Sequence, residues 1–302
     1  MYAPPPSIDA ELFVRIPERF HISGRKSAWV DVQLHGASAP VFLEGPSFDH
    51  DGNLWLVDIP WGRLFKVTPS GDVSCELEYD GWPNGLKFHR DGRAFITDAK
   101  NGIMVFDPRT QKIEPFIDKV VLTPFKGVND LIFSSKGELF FTDQGQTGLH
   151  DPSGRLYRVG TDGKVECLLA NIPSPNGLVL SSDENMVFLA VTRDNAIWRV
   201  PLLHGGGVTK VGVFIQLSGG GGPDGLAMDE QGGIVVCHVG LGSVWLFDAR
   251  GEPRLRIKSP TGYMTTNCAF GGPQNRQLFI TENQSVLVAE MPVAGRRMYS
   301  HH

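Results

Sequence analysis

The 302-residue sequence has no excess of positive charge and no long apolar run. Its 28 Lys and Arg residues against 33 Asp and Glu residues give a formal net charge of −5. That balance provides no basic surface of the kind that binds nucleic acid or anionic lipid. No apolar stretch approaches the ~20 residues that a membrane-spanning helix needs. We therefore expect neither a nucleic-acid partner nor a membrane partner.

Cysteine is scarce, which excludes a disulfide framework. The four Cys residues are scattered and lack the paired spacing of a metal site: Cys75, Cys167, Cys237 and Cys268. Cys237 lies in an apolar run and is predicted to be a small buried hydrophobe. Residues 1–6 lack the basic and apolar regions of a signal peptide. Together these features predict a reduced, cytoplasmic protein.

Helical periodicity is also missing, and one short pattern recurs six times instead. The pattern is clearest in residues 43–58, where a polar residue, an apolar strand and an Asp-Gly turn precede a second apolar strand ending in a carboxylate. Copies begin near residues 43, 83, 128, 175, 223 and 266. Intervals of roughly 40–50 residues are typical of solenoids and propellers. Asp-Gly between apolar runs predicts two-residue hairpin turns, because such turns need positive φ.

Each copy continues with a third strand, such as residues 63–67, and usually with a fourth. Four antiparallel strands per repeat without a helical period predict an all-β fold, a six-bladed β-propeller with four antiparallel strands per blade. We expect residues 1–302 to form this propeller as a single domain. Residues 1–40 precede the first repeat, and their strand-like run at 12–16 should help to close the ring. Residues 295–302 are expected to be frayed.

Equivalent positions of the six copies predict a polar site. The first strand of every propeller blade lines the central channel, so the residues that open the copies should form a ring at one mouth. They are Glu44, Asn84, Asn129, Asn176, Asp224 and Asn267. The return strands should end at the same mouth in a second ring, made of Asp58, Asp98, Asp143, Ala190, His238 and Glu282. Packing alone does not readily explain two rings of mostly oxygen-bearing side chains at one channel mouth.

The chemistry of the first ring indicates a divalent cation. Oxygen ligands from Glu44, Asn176 and Asp224, with Asn129 at a longer reach, suit a hard ion. Because no Cys or His cluster accompanies them, Ca²⁺, Mg²⁺ or Mn²⁺ is favoured over a structural zinc site. The alternative is that Asn-Gly and Asp-Gly pairs only form turns. This alternative explains Asn84 well but not the carboxylates, which would be costly in the channel without a counter-charge.

The sequence also predicts features around this mouth. Long loops at residues 115–127 and 144–154 should lie on the ring face and enclose a small substrate. Trp61, in another loop there, could either cap its blade or form a wall for a substrate. His238 could relay a proton or only hydrogen-bond a neighbouring carboxylate.

These motifs resemble those of a known family. The segments 43–46, 129–130, 175–178, 223–226 and 266–272 are similar, in that order, to the family of senescence marker protein, gluconolactonase and luciferin-regenerating enzyme. The resemblance covers about residues 40–290. It implies a six-bladed propeller with one divalent cation in the channel, with calcium first and magnesium, manganese, zinc or iron as alternatives. It also implies metal-dependent hydrolysis of a small, sugar-type lactone, which would be the partner of the protein.

The resemblance assigns roles to individual residues. Glu44, Asn176 and Asp224 match the metal ligands of the family, and Asp224 also matches its general base, the expected catalytic residue. The expected substrate-binding residues are Asn129, Asp143, Trp61 and His238. Some sugar lactonases of the family carry an Arg two residues before the position of Asn129, where this sequence has Gly127. Lactone hydrolysis therefore carries over better than any particular aldonolactone.

Two other functions stay open. The chain could be a non-hydrolytic propeller enzyme similar to strictosidine synthase, although the complete Glu, Asn and Asp set favours hydrolysis. It could also be a propeller binding module with a structural ion. That function predicts a hydrophobic or charged outer patch and does not need the second polar ring.

Overall fold

The computed structural model describes residues 4–301, and six four-stranded antiparallel sheets contain most of them. The sheets follow one another along the chain, and the first strand of each contacts the first strands of both neighbours, so the six form a ring. The prediction of a six-bladed β-propeller is confirmed.

The first three blades follow the repeat closely. From the channel outward, blade one contains Leu43–Phe48, Leu54–Asp58, Arg63–Val67 and Val73–Glu78. Blade two contains Pro83–Phe88, Ala94–Asp98, Gly102–Asp107 and Lys112–Ile117. Blade three contains Val128–Phe133, Leu139–Asp143, Gly154–Val159 and Val165–Ile172. Between blades two and three, a short hairpin is formed by Lys119–Val120 and Thr123–Pro124.

The last three blades include the beginning of the chain. Blade four contains Pro175–Leu180, Met186–Val191, Ala196–Pro201 and Gly212–Gln216. Blade five contains Gly222–Met228, Ile234–Val239, Ser243–Phe247 and Pro253–Lys258, with Ser7–Asp9 added in parallel at its outer edge. Blade six contains Thr265–Gly271, Gln277–Glu282, Ser285–Glu290 and Glu11–Arg15.

Helices are few and short. The described part of the chain contains one α-helix, Ala28–Gln33, which packs on the mouth side of blade one. The 3₁₀ turns are Glu18–Phe20, Ile59–Trp61, Thr192–Asp194, Pro273–Asn275 and Tyr299–His301. Within residues 4–301, no helix is long and apolar enough to span a membrane.

The ring is closed by pairing between the two ends of the chain. Glu11–Arg15 pairs antiparallel with Ser285–Glu290 and forms the outermost strand of blade six. Blade six therefore lacks its outermost strand without the N-terminal segment, and opening the ring requires breaking a hydrogen-bonded strand pair.

Apolar side chains fill the layers between neighbouring blades. Val57 and Leu64 of blade one, for example, pack in one cluster with Leu86 of blade two, and all three are fully buried. Cys237 is completely buried in the cluster between blades five and six, as predicted. Burial of these side chains is the main stabilising contribution to contact between the blades.

The prediction of two-residue hairpin turns is wrong. In blade one, the N–H of Asp49 donates to the carbonyl of Asn53 and the N–H of Gly52 donates to the carbonyl of Asp49, which defines a longer turn. The Asp49 carboxylate stabilises this turn by accepting from the N–H groups of Asp51 and Asn53, both at 2.9 Å. Gly52 takes the left-handed position with a φ of 80°.

Each first strand carries a bulge at the channel mouth, and in several blades a threonine of the second strand stabilises it. In blade two, Asn84 and Gly85 form the bulge, and Thr97 Oγ1 accepts from the N–H of Gly85 at 2.7 Å. The same hydroxyl donates to the carbonyl of Asn129 in blade three. Thr142 makes the equivalent link between blades three and four. These links fix the ring residues of neighbouring blades relative to each other.

Two predicted ring equivalences are wrong by one residue. In blade six, the pairing register makes Thr266 the equivalent of Asn84, and Asn267 the equivalent of Gly85. In blade four, Val191 rather than Ala190 ends the return strand, because the preceding hairpin is one residue longer.

The C-terminal residues lie across the other mouth of the channel, so the prediction of a frayed end is wrong. We call residues 294–301 the C-terminal strap; His302 lies outside the described residues. The strap contacts the first hairpin of every blade, through Asn275, Glu230, Ser181, Gly137, His89 and His50. Arg296 is its strongest attachment, with bonds of 2.8 Å to the carbonyls of Leu180 and Ser181 and to Glu184.

Candidate active site

Three buried polar side chains meet across the channel at the predicted mouth. Asn267 Nδ2 donates to Glu44 Oε2 at 2.8 Å and lies 3.4 Å from Asp130 Oδ2. The side chains come from blades six, one and three, so the contacts span the channel. Each of these residues is at most 3% exposed. The sequence therefore places two carboxylates of different blades around one amide.

Glycine at the second bulge position of neighbouring blades leaves the space for Asp130 and Asn267. A Cβ atom on Gly85 would lie 2.6 Å from Asp130 Oδ1, and one on Gly225 would clash with Asn267. The sequence analysis does not include Asp130, because it places the polar ring at the first bulge position of each blade, where Asn129 lies. The signal that could have found it is an Asp at a position where four other copies have Gly.

Asp224 of blade five and Asn176 of blade four extend the polar group formed by Glu44, Asp130 and Asn267. Asp224 is half-buried and Asn176 is buried, and the Asn176 side chain donates a hydrogen bond to Asp224. Burial and the charge of Asp130 raise the pKa of Asp224 to about 7, although the Asn176 bond and the charge of Arg193 act in the opposite direction. A carboxyl group that titrates near neutral pH can exchange protons with a reactant.

The three channel carboxylates repel one another. Burial, followed by the charges of Asp224 and Asp130, raises the pKa of Glu44 well above its usual range. Burial also raises the pKa of Asp130, while the nearby Lys87 lowers it. Lys87 and Arg193 were not anticipated, since neither lies in a predicted ring. Lys87 offsets the charge of Asp130, and Arg193 offsets the charge of Asp224. Glu44 instead accepts hydrogen bonds from Asn267 and from the N–H of Gly45.

The side-chain oxygen of Asn129 is unpaired in the part of the chain that the structure describes. Its Nδ2 donates to Gln144 Oε1 at 2.9 Å, and Gln144 Nε2 donates in turn to Ser174 Oγ at 3.0 Å. This chain fixes the orientation of the amide. Asn129 Oδ1 is buried and has no hydrogen-bond partner among residues 4–301. A buried acceptor without a partner is costly, so a ligand at this position would be stabilising.

Comparisons with known proteins identify the family. Residues 42–284 match the model of the SMP-30/Gluconolactonase/LRE-like region. The chain belongs to this family. It is 33% identical to lactonase drp35 of Staphylococcus epidermidis over 272 residues, which cover 84% of this chain and 81% of that protein. It is 32% identical to lactonase drp35 of Staphylococcus aureus strain MRSA252 with the same coverage.

Solved structures show the same fold. Regucalcin of Agrobacterium tumefaciens, described as a calcium-binding protein, is 26% identical, with a TM-score of 0.74 over 86% of this chain and 94% of that one. A gluconolactonase of Xanthomonas campestris is 22% identical, with a TM-score of 0.75 over 95% of this chain and 99% of that one.

The residues of this SMP-30/gluconolactonase-like chain fit a divalent cation only if amide oxygens take part. Within residues 4–301, no three His, Cys, Asp or Glu side chains form a group that could hold a metal ion. Carboxylates alone are therefore insufficient. The partnerless Oδ1 of Asn129 and the uncompensated charge of Glu44 are the features that a hard, oxygen-preferring cation would satisfy.

The second predicted ring has a different arrangement from the first. Its carboxylates are buried and hold the connections that enter their own blades. Asp143 Oδ1 accepts from the N–H groups of Lys126 and Gly127 at 2.7 and 2.9 Å, and Oδ2 is paired with Arg155 at 3.0 Å. Asp143 thus fixes the segment that leads directly to Asn129.

Trp61 and His238 are also buried near the mouth. Trp61 is 8% exposed, and its Nε1 donates to the carbonyl of Ala39 at 2.9 Å beneath the N-terminal segment. His238 is 1% exposed, with Nε2 at 3.0 Å from the carbonyl of Gly219. Burial lowers the pKa of His238, so the imidazole is neutral and holds the glycine run that precedes Asp224.

Proposed function

We propose that this protein is a metal-dependent lactone hydrolase that opens a small, sugar-type lactone to its hydroxy acid. The observation that carries the proposal is the channel group of Glu44, Asp130 and Asp224 beside the partnerless Oδ1 of Asn129. The lactonases among its relatives support the reaction, and calcium-binding regucalcin supports a divalent cation, calcium first. The four free cysteines lead us to propose a cytoplasmic location, which cell fractionation would test.

The cation would be held by Glu44, Asn176 and Asp224, with Asn129 Oδ1 able to contribute a fourth oxygen. When bound, it supplies Lewis-acid chemistry, polarising the lactone carbonyl and stabilising the oxyanion of the tetrahedral intermediate. Deprotonation of Asp224 and Glu44 is needed for binding, because a protonated carboxyl group is a poor ligand.

Asp224 would act as the base. As water adds to the lactone carbonyl carbon, Asp224 accepts one of its protons, and the proton then passes to the ring oxygen as the C–O bond breaks. Asn129 Oδ1 would accept a hydrogen bond from a substrate hydroxyl or from the attacking water, because its amide nitrogen is already bonded to Gln144.

Asp143, Trp61 and His238 would contribute to substrate binding by holding the walls of the mouth. Each is bonded to backbone atoms of a mouth segment: Asp143 to residues 126–127, Trp61 to residue 39 and His238 to residue 219. Loosening any of these segments should raise KM more than it lowers kcat.

The deciding experiment is a pH-stat assay of five- and six-membered lactones on metal-stripped protein, before and after addition of Ca²⁺, Mg²⁺, Mn²⁺, Zn²⁺ or Fe²⁺. We expect activity only with metal, near-complete loss in Asp224→Ala, and a loss of about 10²–10³-fold in Asn129→Ala. Asn84→Ala is the matched control and should change turnover little. Activity that survives both chelation and Asp224→Ala would show that this mechanism is wrong. Metal uptake without hydrolysis of any lactone would favour a binding module or a non-hydrolytic enzyme.

A further inference from the structure

The turn after the second strand of blade four presents an arginine at the channel mouth. This turn, residues 192–195, is held rigidly because three of its four side chains are bonded to neighbours. Thr192 bonds the carbonyl of Pro223 at 2.8 Å, Asp194 bonds Trp198 at 2.7 Å and Asn195 bonds the carbonyl of Gly219 at 2.9 Å. The fourth side chain, Arg193, is exposed.

Arg193 lies between three blades. Its Nη1 is 3.5 Å from the carbonyl of Gly221, at the entrance to blade five. Its Cγ would be 3.7 Å from a Cβ atom on Gly148, in the long loop of blade three, where His150 also packs. Its charge acts on Asp224. The guanidinium group therefore lies at the mouth within electrostatic range of Asp224, with one long hydrogen bond, and most of its donors remain for another molecule.

We propose that Arg193 binds vicinal hydroxyl groups of the substrate and so selects hydroxylated lactones over unsubstituted ones. This inference rests on the proposed lactonase function and names its substrate class. The planar guanidinium fork suits two neighbouring oxygen atoms. Because the mouth already holds the three interacting carboxylates of Glu44, Asp130 and Asp224, an additional negative charge is disfavoured there. Neutral hydroxyls therefore fit the position better than a carboxylate.

The test compares two lactones of the same ring size, D-glucono-1,5-lactone and δ-valerolactone, on the metal-loaded protein. In Arg193→Ala we expect kcat/KM for gluconolactone to fall about ten- to one-hundred-fold, mainly through KM, since a charged hydrogen-bond pair is lost. Turnover of δ-valerolactone should stay within about twofold. Arg193→Lys should recover only part of the loss, because it keeps the charge without the fork. Arg199→Ala removes an exposed arginine from the third strand of the same blade and should change neither substrate.

Two results would overturn the inference: an equal loss on both lactones, or no loss on either. Metal uptake should be unchanged in Arg193→Ala and in Arg193→Lys, which separates substrate binding by Arg193 from ion binding. If the wild type opens neither lactone, the proposed function fails. In that case, calorimetric binding of 1,5-anhydroglucitol, a hydroxylated ring that cannot be hydrolysed, tests hydroxyl binding by Arg193 independently of the lactonase function. Weaker binding in Arg193→Ala but not in Arg199→Ala supports it, and equal binding by all three proteins refutes it.

Discussion

Replacing Asp224 by Asn should stabilise the metal-free protein at alkaline pH. Asp224 shares the channel with Glu44 and Asp130, and its pKa in the folded state is about 7, against 3.8 for the ordinary group. The folded state therefore holds the proton more tightly than the unfolded state does. Between pH 3.8 and 7 the unfolded state loses this proton first, so the free energy of unfolding falls as the pH rises.

The magnitude follows from the same pKa. A difference of about three pH units corresponds to about 4 kcal/mol, all of it present as a penalty above pH 7. At pH 5 only about a third of it applies. Relative to wild type, Asp224→Asn should therefore gain about 3 kcal/mol of unfolding free energy between pH 5 and pH 8. Comparing the two pH values cancels the difference between an amide and a neutral carboxyl group.

Urea unfolding in the presence of chelator at pH 5 and pH 8 measures this change. Asp98→Asn is the matched control, because Asp98 is also fully buried but accepts bonds from Tyr79, Trp82, Lys100 and Asn101. That variant should lose about 2–3 kcal/mol at pH 8. The reasoning would be refuted if Asp224→Asn were less stable than wild type at pH 8, or if the gap did not change with pH. Saturating Ca²⁺ should stabilise wild type but not Asp224→Asn.

Three further predictions concern the links between blades, the strap and the protons of the site. Thr142→Val removes bonds to Asp130 and Asn176 and should cost about 2–3 kcal/mol, whereas Thr142→Ser should cost less than half as much; urea unfolding compares the two. Arg296→Ala breaks three bonds of the strap and should lower the unfolding midpoint and speed proteolysis at the C-terminal end, and an unchanged cleavage rate would contradict the attachment. Metal binding at pH 6 should release at least one proton, from Asp224, and fewer at pH 9; calorimetry in two buffers of different ionisation enthalpy counts them.

The sequence was sufficient to predict the blade number because one strand pattern recurs with a nearly constant period. It also indicated which end of each blade is polar, and Glu44 and Asp224 could be identified as unusual because carboxylates rarely lie in a channel without a partner. Asn176 followed from the same alignment of copies, and the structure brings it beside Asp224.

The details that the sequence could not supply depend on register. A bulge adds a residue without changing the apolar pattern, so Asn267 was assigned to the position that Thr266 occupies. Asp130 was missed for a related reason, since both bulge positions of blade three are polar and only the pairing shows which one reaches Asn267. Arg193 lies in a turn whose direction is set by contacts with the segment that enters blade five, and no local pattern encodes those contacts.

The strap gives the channel the shape of a cup. Residues 294–301 contact all six blades at the face opposite Glu44 and Asp224, so we expect molecules to exchange mainly through the ring face. Under the proposed lactonase function, the hydroxy acid would leave the cup past Arg193 before another lactone could enter. Reactant and product therefore compete for one passage, and we expect the hydroxy acid to inhibit competitively, with an inhibition constant that Arg193→Ala raises along with KM.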